Sequence, residues 1–175
     1  MQARETLLKL ITSWLLSALI ASTPVVSNAE EISNAQAMAD SITVYPDGRG
    51  LPSGQGSARD GKVMYDRVCA ACHGNDGKSG INVALVGGLG TLDSATPQRT
   101  VGSFWPYATT LFDYIRRAMP YNAAGTLSAE ETYAITAYVL FMNNIIEVNA
   151  VLDTKSLPLV TMPNAQGFRF TLNDP

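Results

Sequence analysis

The chain has 175 residues, with 12 basic and 15 acidic side chains, a formal net charge of −3, two cysteines and one histidine. The charges are scattered without a basic stripe, which argues against nucleic acid as a partner. A single pair of cysteines implies no disulfide framework, and no internal repeat is evident.

Arg4 and Lys9 give a basic start, followed by an apolar run from Leu10 to Ala21. The small residues of Ser27-Asn28-Ala29 suit a cleavage site, so residues 1–29 read as an export signal cut after Ala29. The apolar run falls short of the roughly 20 residues a membrane span needs, and an uncleaved anchor is the competing reading. Cleavage would leave one domain of about 145 residues, enough for a single core and with no membrane span. Residues 30–56 are polar, with Pro46, Pro52 and glycines at 48, 50, 54 and 56. They read as an extended, loosely held N-terminal arm that could wrap the domain, with a solvated leader as the simplest account.

At Ser57 the pattern changes. Ser57-Ala-Arg-Asp60 resembles a capping box with a shorter acid, and it opens a helix that runs into the next motif. Gly61, Met64, Tyr65 and Val68 fall at i, i+3, i+4 and i+7, on one face of that helix. Gly61 lets another backbone approach, and Tyr65 fills the space one turn later.

The helix leads into Cys69-Ala70-Ala71-Cys72-His73, and Cys-x-x-Cys-His is the attachment signature of a c-type haem. Two thiols three residues apart can each add across one of two neighbouring vinyl groups, forming thioethers. His73 then offers its imidazole to the iron from the proximal side. A thioredoxin-like redox pair would want a βαβ context, which is not visible. A zinc site needs a fourth Cys or His ligand, and the chain has none to offer. Export agrees with the haem reading, because thioether attachment takes place outside the cytoplasm.

Gly74 to Gly80 is a turn-rich loop, and Ile81 to Leu92 mixes apolar residues with Gly87, Gly88 and Gly90. That mixture suits a loop laid against a flat apolar face. It holds no phosphate-binding G-x-x-x-x-G-K-[ST] motif. Phe104, Trp105 and Tyr107 precede a helix over about residues 109–118, with Leu111, Phe112, Ile115 and Ala118 on one side. Trp105 has two readings, a donor of its indole N–H to a haem propionate or a packed aromatic beside the cofactor. Arg116 and Arg117 suit the helix C-terminus, and either could also face a propionate or a partner.

In Met119-Pro120 the proline stops the helix and holds the preceding side chain out of helical register. There a thioether could reach the iron from the distal side. Among the rivals, Met38 lies in the arm, Met64 and Met142 sit on helical core faces, and Met162-Pro163 repeats the dipeptide. Met119 wins on order, since loop, ligand and closing helix follow one another in small haem domains. His73 is the only histidine, so two imidazoles from one chain cannot share an iron.

Ser128-Ala-Glu-Glu131 is a capping box, opening a helix to about Asn144. Ala134, Ala137, Tyr138, Phe141 and Ile145 form a stripe that should cross the first helix near Gly61 and Tyr65. Residues 147–175 lose periodicity and read as an extended tail, docked on the domain or on a partner.

Together these residues resemble class I cytochrome c over residues 57–146, the expected haem domain. The resemblance implies an all-α fold of three or more helices around one covalently bound haem c, with extended N- and C-terminal arms. Arg99 to Pro120, together with Ser156-Leu-Pro, Met162-Pro-Asn and Gly167-Phe168, is similar to the cytochrome c subunits of periplasmic sulfite dehydrogenases. That group implies a molybdenum-cofactor sulfite-oxidising partner and a downstream cytochrome. Ile81 to Leu92 contains no proline of the kind whose neighbouring carbonyl orients the proximal histidine in such domains, so the sequence names no acceptor for the second imidazole nitrogen. The expected protein is therefore a periplasmic one-electron carrier. It would bind haem through Cys69 and Cys72, its iron through His73 and Met119, and its propionates through Trp105 and Arg116. A free shuttle for another dehydrogenase or oxidase, and an open-site haem enzyme or gas binder, are the alternatives.

Overall fold

The computed structural model describes residues 43–168; the signal, the first part of the arm and residues 169–175 lie outside the described residues. In chain order these residues form β1 (Gln55–Ser57), α1 (Ala58–Val68), α2 (Ala70–His73), α3 (Ala108–Ala118), α4 (Ala129–Met142) and β2 (Val151–Asp153), with short 3-10 turns at Tyr121–Ala123 and Leu157–Leu159. None of these helices is long and apolar enough to cross a membrane.

The caps form as the sequence implies. The Ser57 hydroxyl accepts from the Asp60 N–H at 3.1 Å and starts α1. Ser128 and Glu131 make a reciprocal capping box at the start of α4. Helix α1 then crosses α4 at Gly61, which is buried against Ala134 and Tyr138. Beside it the Tyr65 and Tyr138 rings meet edge to face with centroids 5.3 Å apart.

The expected one-sided stripe on α4 is too narrow. Every residue from Thr132 to Leu140 is buried. Helix α1 covers one face, α3 another, and β1 and β2 close the remainder. Thr132 and Thr136 tolerate this because their hydroxyls donate to the carbonyls of Ser128 and Thr132, both at 2.7 Å.

The described part of the arm is tied down rather than loose. Val44 enters the core, and its N–H donates to Asp113 Oδ1 at 3.0 Å. The Tyr133 hydroxyl donates to the Pro52 carbonyl at 3.0 Å. Strand β1 pairs antiparallel with β2, placing Gly56 opposite Leu152. The tail continues the cover, with Leu152, Leu157 and Met162 all buried. Asn164 Nδ2 donates to the Phe104 carbonyl at 2.7 Å, and Phe168 meets the Phe104 ring at 5.2 Å. The physical reason is α4 itself. A helix buried on all sides needs cover from the segments that precede and follow the helical core.

This packing carries a pH signature. Burial pushes the Tyr133 phenol up to about 12, with the nearby Asp153 carboxylate adding to the shift and Arg116 opposing it. Burial also raises Tyr65. A folded-state phenol pKa above the unfolded value, about 10, contributes stability that is fully present below pH 10. That stability is lost as pH rises toward 12. Tyr133→Phe should cost about 1 kcal/mol at neutral pH through the lost hydrogen bond. It should also flatten the fall in urea midpoint between pH 10 and 12. An unchanged alkaline slope in the variant would contradict this.

Candidate haem-binding site

Helix α1 ends at Val68 because Cys69 leaves helical register (φ −118°, ψ −40°), while its N–H still bonds the Tyr65 carbonyl at 2.8 Å. The chain turns there and winds one more turn, α2, whose last residue is His73. The N–H groups of Cys72 and His73 both return to the Cys69 carbonyl, at 3.1 and 3.0 Å. This turn presents two free thiols, Cys69 half-buried and Cys72 exposed. Burial, with Cys72 alongside, pushes the Cys69 thiol up to about 11. From the α1 side, the Tyr65 hydroxyl donates to the Gly74 carbonyl at 2.9 Å, pinning the residue after His73.

The His73 ring finds its acceptor in the following loop. His73 Nδ1 lies 3.0 Å from the Val83 carbonyl. A carbonyl can only accept, so Nδ1 carries the proton and Nε2 keeps a lone pair that could bind a metal. The loop needs no proline to offer this oxygen. Asn82 N–H bonds the Cys72 carbonyl at 2.9 Å, and Leu85 N–H bonds the Gly77 carbonyl at 2.8 Å. Between Gly74 and Gly77, Asp76 Oδ1 accepts from the N–H groups of Lys78 and Ser79, both at 2.9 Å. These bonds hold its carboxyl near pKa 2, well below the usual carboxylate range.

The same loop is apolar without protein cover: Ile81, Val83 and Leu89 are 87%, 77% and 72% exposed. Isolated exposed apolar residues are ordinary. Three in one short loop beside a ligating-type histidine suit a large apolar group set against them.

Met119 follows α3 in extended conformation (φ −120°, ψ 148°), outside helical register. Its side chain is half-buried and packs on the core. Met162, by contrast, is a core residue only 2% exposed. Trp105 is half-buried and meets Tyr114 edge to face at 5.6 Å. Arg116 is half-buried, and its charge is felt by the Tyr133 phenol on the side of α3 that faces the arm. Arg117 instead pairs with Asp113 on its own helix. The fold thus gathers Cys69, Cys72 and His73 into one turn, while Trp105 meets Tyr114 and Arg116 lies near Tyr133.

Sequence reasoning missed Asn143. The side chain of this residue, the C-cap of α4, reaches the loop that supplies the Val83 carbonyl. Its Nδ2 donates to the carbonyls of Leu85 and Val139 at 3.1 and 2.9 Å, and its Oδ1 accepts from Gly87 N–H at 3.3 Å. A helix ending in Asn was the only available signal, and it says nothing about the loop.

The donor chemistry fits a haem c. It comprises two unpaired thiols on one turn, a proximal imidazole with Nε2 free, a thioether outside helical register and uncovered apolar side chains. Residues 56–139 match the cytochrome c family described as cytochrome c oxidase, cbb3-type, subunit III. No curated protein matches the chain in sequence. A chain in the crystal structure of the sulfane dehydrogenase SoxCD from Paracoccus pantotrophus is 39% identical, over 85% of this chain and 71% of that one, with a TM-score of 0.71. With that identity over most of both chains, and with the Cys-x-x-Cys-His turn packed against crossed helices, the chain belongs to the class I cytochrome c family.

Proposed function

We propose that the protein is an exported monohaem electron carrier, the electron-accepting subunit of a sulfur-compound dehydrogenase of the sulfite dehydrogenase type. The observation that carries the electron-transfer reading is His73. Its Nδ1 is already committed to the Val83 carbonyl, which leaves Nε2 for iron within one turn of two free thiols. Cys69 and Cys72 would hold the haem covalently, and His73 and Met119 would supply the ligands to its iron. Haem c supplies a one-electron Fe(III)/Fe(II) couple when bound. The exposed Ile81, Val83 and Leu89 would keep water from a haem set against them, which would favour the less charged Fe(II) state. The thioether of Met119 acts in the same direction. With His73 and Met119 both engaged, the iron would offer no position to a substrate, which leaves electron transfer as the chemistry these residues support.

The likeness to a SoxCD chain supports a sulfur-oxidising complex. The partner on the donor side is then a molybdenum-cofactor subunit, and on the acceptor side another cytochrome. Residues 1–29 act as the export signal and residues 57–146 as the haem domain, with the arm and tail bracing it. The small or uncharged Ala70, Ala71, Gly74, Asn122, Ala123 and Ala124 form the rim for brief encounters.

The test is affinity purification of the tagged chain from its native host, followed by molybdenum analysis and addition of sulfite or a sulfane-sulfur compound. Stoichiometric molybdenum with substrate-dependent haem reduction is expected. A haem protein recovered alone, and reduced by an unrelated dehydrogenase, would replace this reading with that of a free shuttle.

A further inference from the structure

We infer that Asn143 is a positioning residue for His73 that sets the strength of the imidazole hydrogen bond through the 83–87 loop. The inference rests on His73 being an axial ligand of a bound haem. Val83 is 77% exposed, so no protein side chain encloses the residue whose carbonyl faces His73. The backbone around it does. On one side Asn82 N–H is fixed to the Cys72 carbonyl at 2.9 Å. On the other side the Asn143 amide bonds the Leu85 carbonyl at 3.1 Å and the Gly87 N–H at 3.3 Å, adding to the backbone bonds that join Leu85 to Gly77 and Val101. The third bond of that amide returns to the Val139 carbonyl at 2.9 Å. Two carbonyls require the NH2 end and one N–H requires the oxygen, so the partners fix the orientation of the amide.

The clip therefore ties a solvent-facing loop to the end of α4, the most buried helix described. Space is kept for it. A Cβ on Gly102 would overlap Asn143 Oδ1 and lie 2.8 Å from Asn143 Cγ. Thr100 reinforces the same loop by donating its hydroxyl to the Gly87 carbonyl.

The consequence follows from ligand basicity. A firm Nδ1–H···O bond makes the imidazole a better electron donor to a metal on Nε2 and favours the more charged Fe(III) state. Loosening the clip weakens that bond and raises the reduction potential. It also lets solvent protons reach Nδ1 sooner.

The chain has one histidine, so 15N-histidine labelling of the haem-loaded protein reports on His73 alone. Asn143→Leu removes the clip, and Gly102→Ala displaces it while leaving its groups in place, so the test does not depend on one variant folding. Asn164→Leu is the control, since it removes an amide bond from the tail, far in sequence from this loop. Both clip variants should speed exchange of the His73 ring N–H by about tenfold or more and raise the potential, whereas Asn164→Leu should lower thermal stability without either change. Unchanged exchange and potential in the folded clip variants, with only a lower melting temperature, would overturn the inference. A wild-type ring signal without any iron-induced shift would instead show that His73 is not on the iron, and the parent reading would fall with it.

Discussion

Gly61→Ala is expected to cost on the order of 3 kcal/mol or more, a large share of the 5–15 kcal/mol that typically holds a domain together. The sign is opposite to the usual one. In an exposed helix interior the same change stabilises by about 0.5–1 kcal/mol, because alanine gives up less backbone entropy on folding. Here a Cβ would overlap the Ala134 carbonyl oxygen and lie 2.8 Å from Tyr138 Cβ. The overlapped atom belongs to the backbone of α4, which is enclosed on every side and cannot retreat. The two helices must separate, and the Tyr65–Tyr138 contact, whose tyrosine also holds Gly74 beside His73, opens with them. Urea midpoints of the haem-loaded protein give the measurement. Lys62→Ala, which removes only the surface pair with Asp66, is the comparison and should shift stability by less than about 1 kcal/mol. A Gly61→Ala variant as stable as Lys62→Ala would contradict the close crossing.

Met119→Ala is the second large effect, and it falls on chemistry rather than on stability. Met119 is only half-buried, and its backbone is extended rather than helical. Removing it should cost little folding energy while taking away the distal thioether. The oxidised protein should turn from low-spin to high-spin, bind azide or cyanide at the vacated position, and show a lower potential. Met162 is expected to behave in the opposite way. It is a tail residue set in the core and only 2% exposed, so Met162→Ala should destabilise by about 2–5 kcal/mol and leave the spin state alone.

The parts of the molecule legible in the sequence are those written in local or periodic signals. Ser57 and Ser128 announce their helices because a cap and its partner lie three residues apart. Gly61 and Tyr65 announce the crossing because only one face of α1 is apolar. The Cys69 to His73 turn is recognisable because its chemistry needs fixed residue types at fixed spacing. What the sequence hides is non-local. The acceptor for His73 is a main-chain carbonyl, and any residue could have supplied it, so Val83 carries no mark. The Asn143 clip reaches more than fifty positions back along the chain to Leu85 and Gly87. The arm looks like solvated leader by composition. Its contacts with Asp113 and Tyr133 exist only once α3 and α4 are in place.

The central claim is a closed iron between His73 and Met119, which makes the protein a carrier rather than a catalyst. The most direct test is the near-infrared spectrum of the oxidised protein, recorded for wild type beside Met119→His and Met162→Leu. Methionine sulfur on low-spin Fe(III) gives a weak charge-transfer band there. The band should be present in wild type, survive Met162→Leu and vanish in Met119→His. A wild-type spectrum that lacks the band and is high-spin would mean an open site, and ligand binding or peroxide chemistry would replace electron transfer as the function.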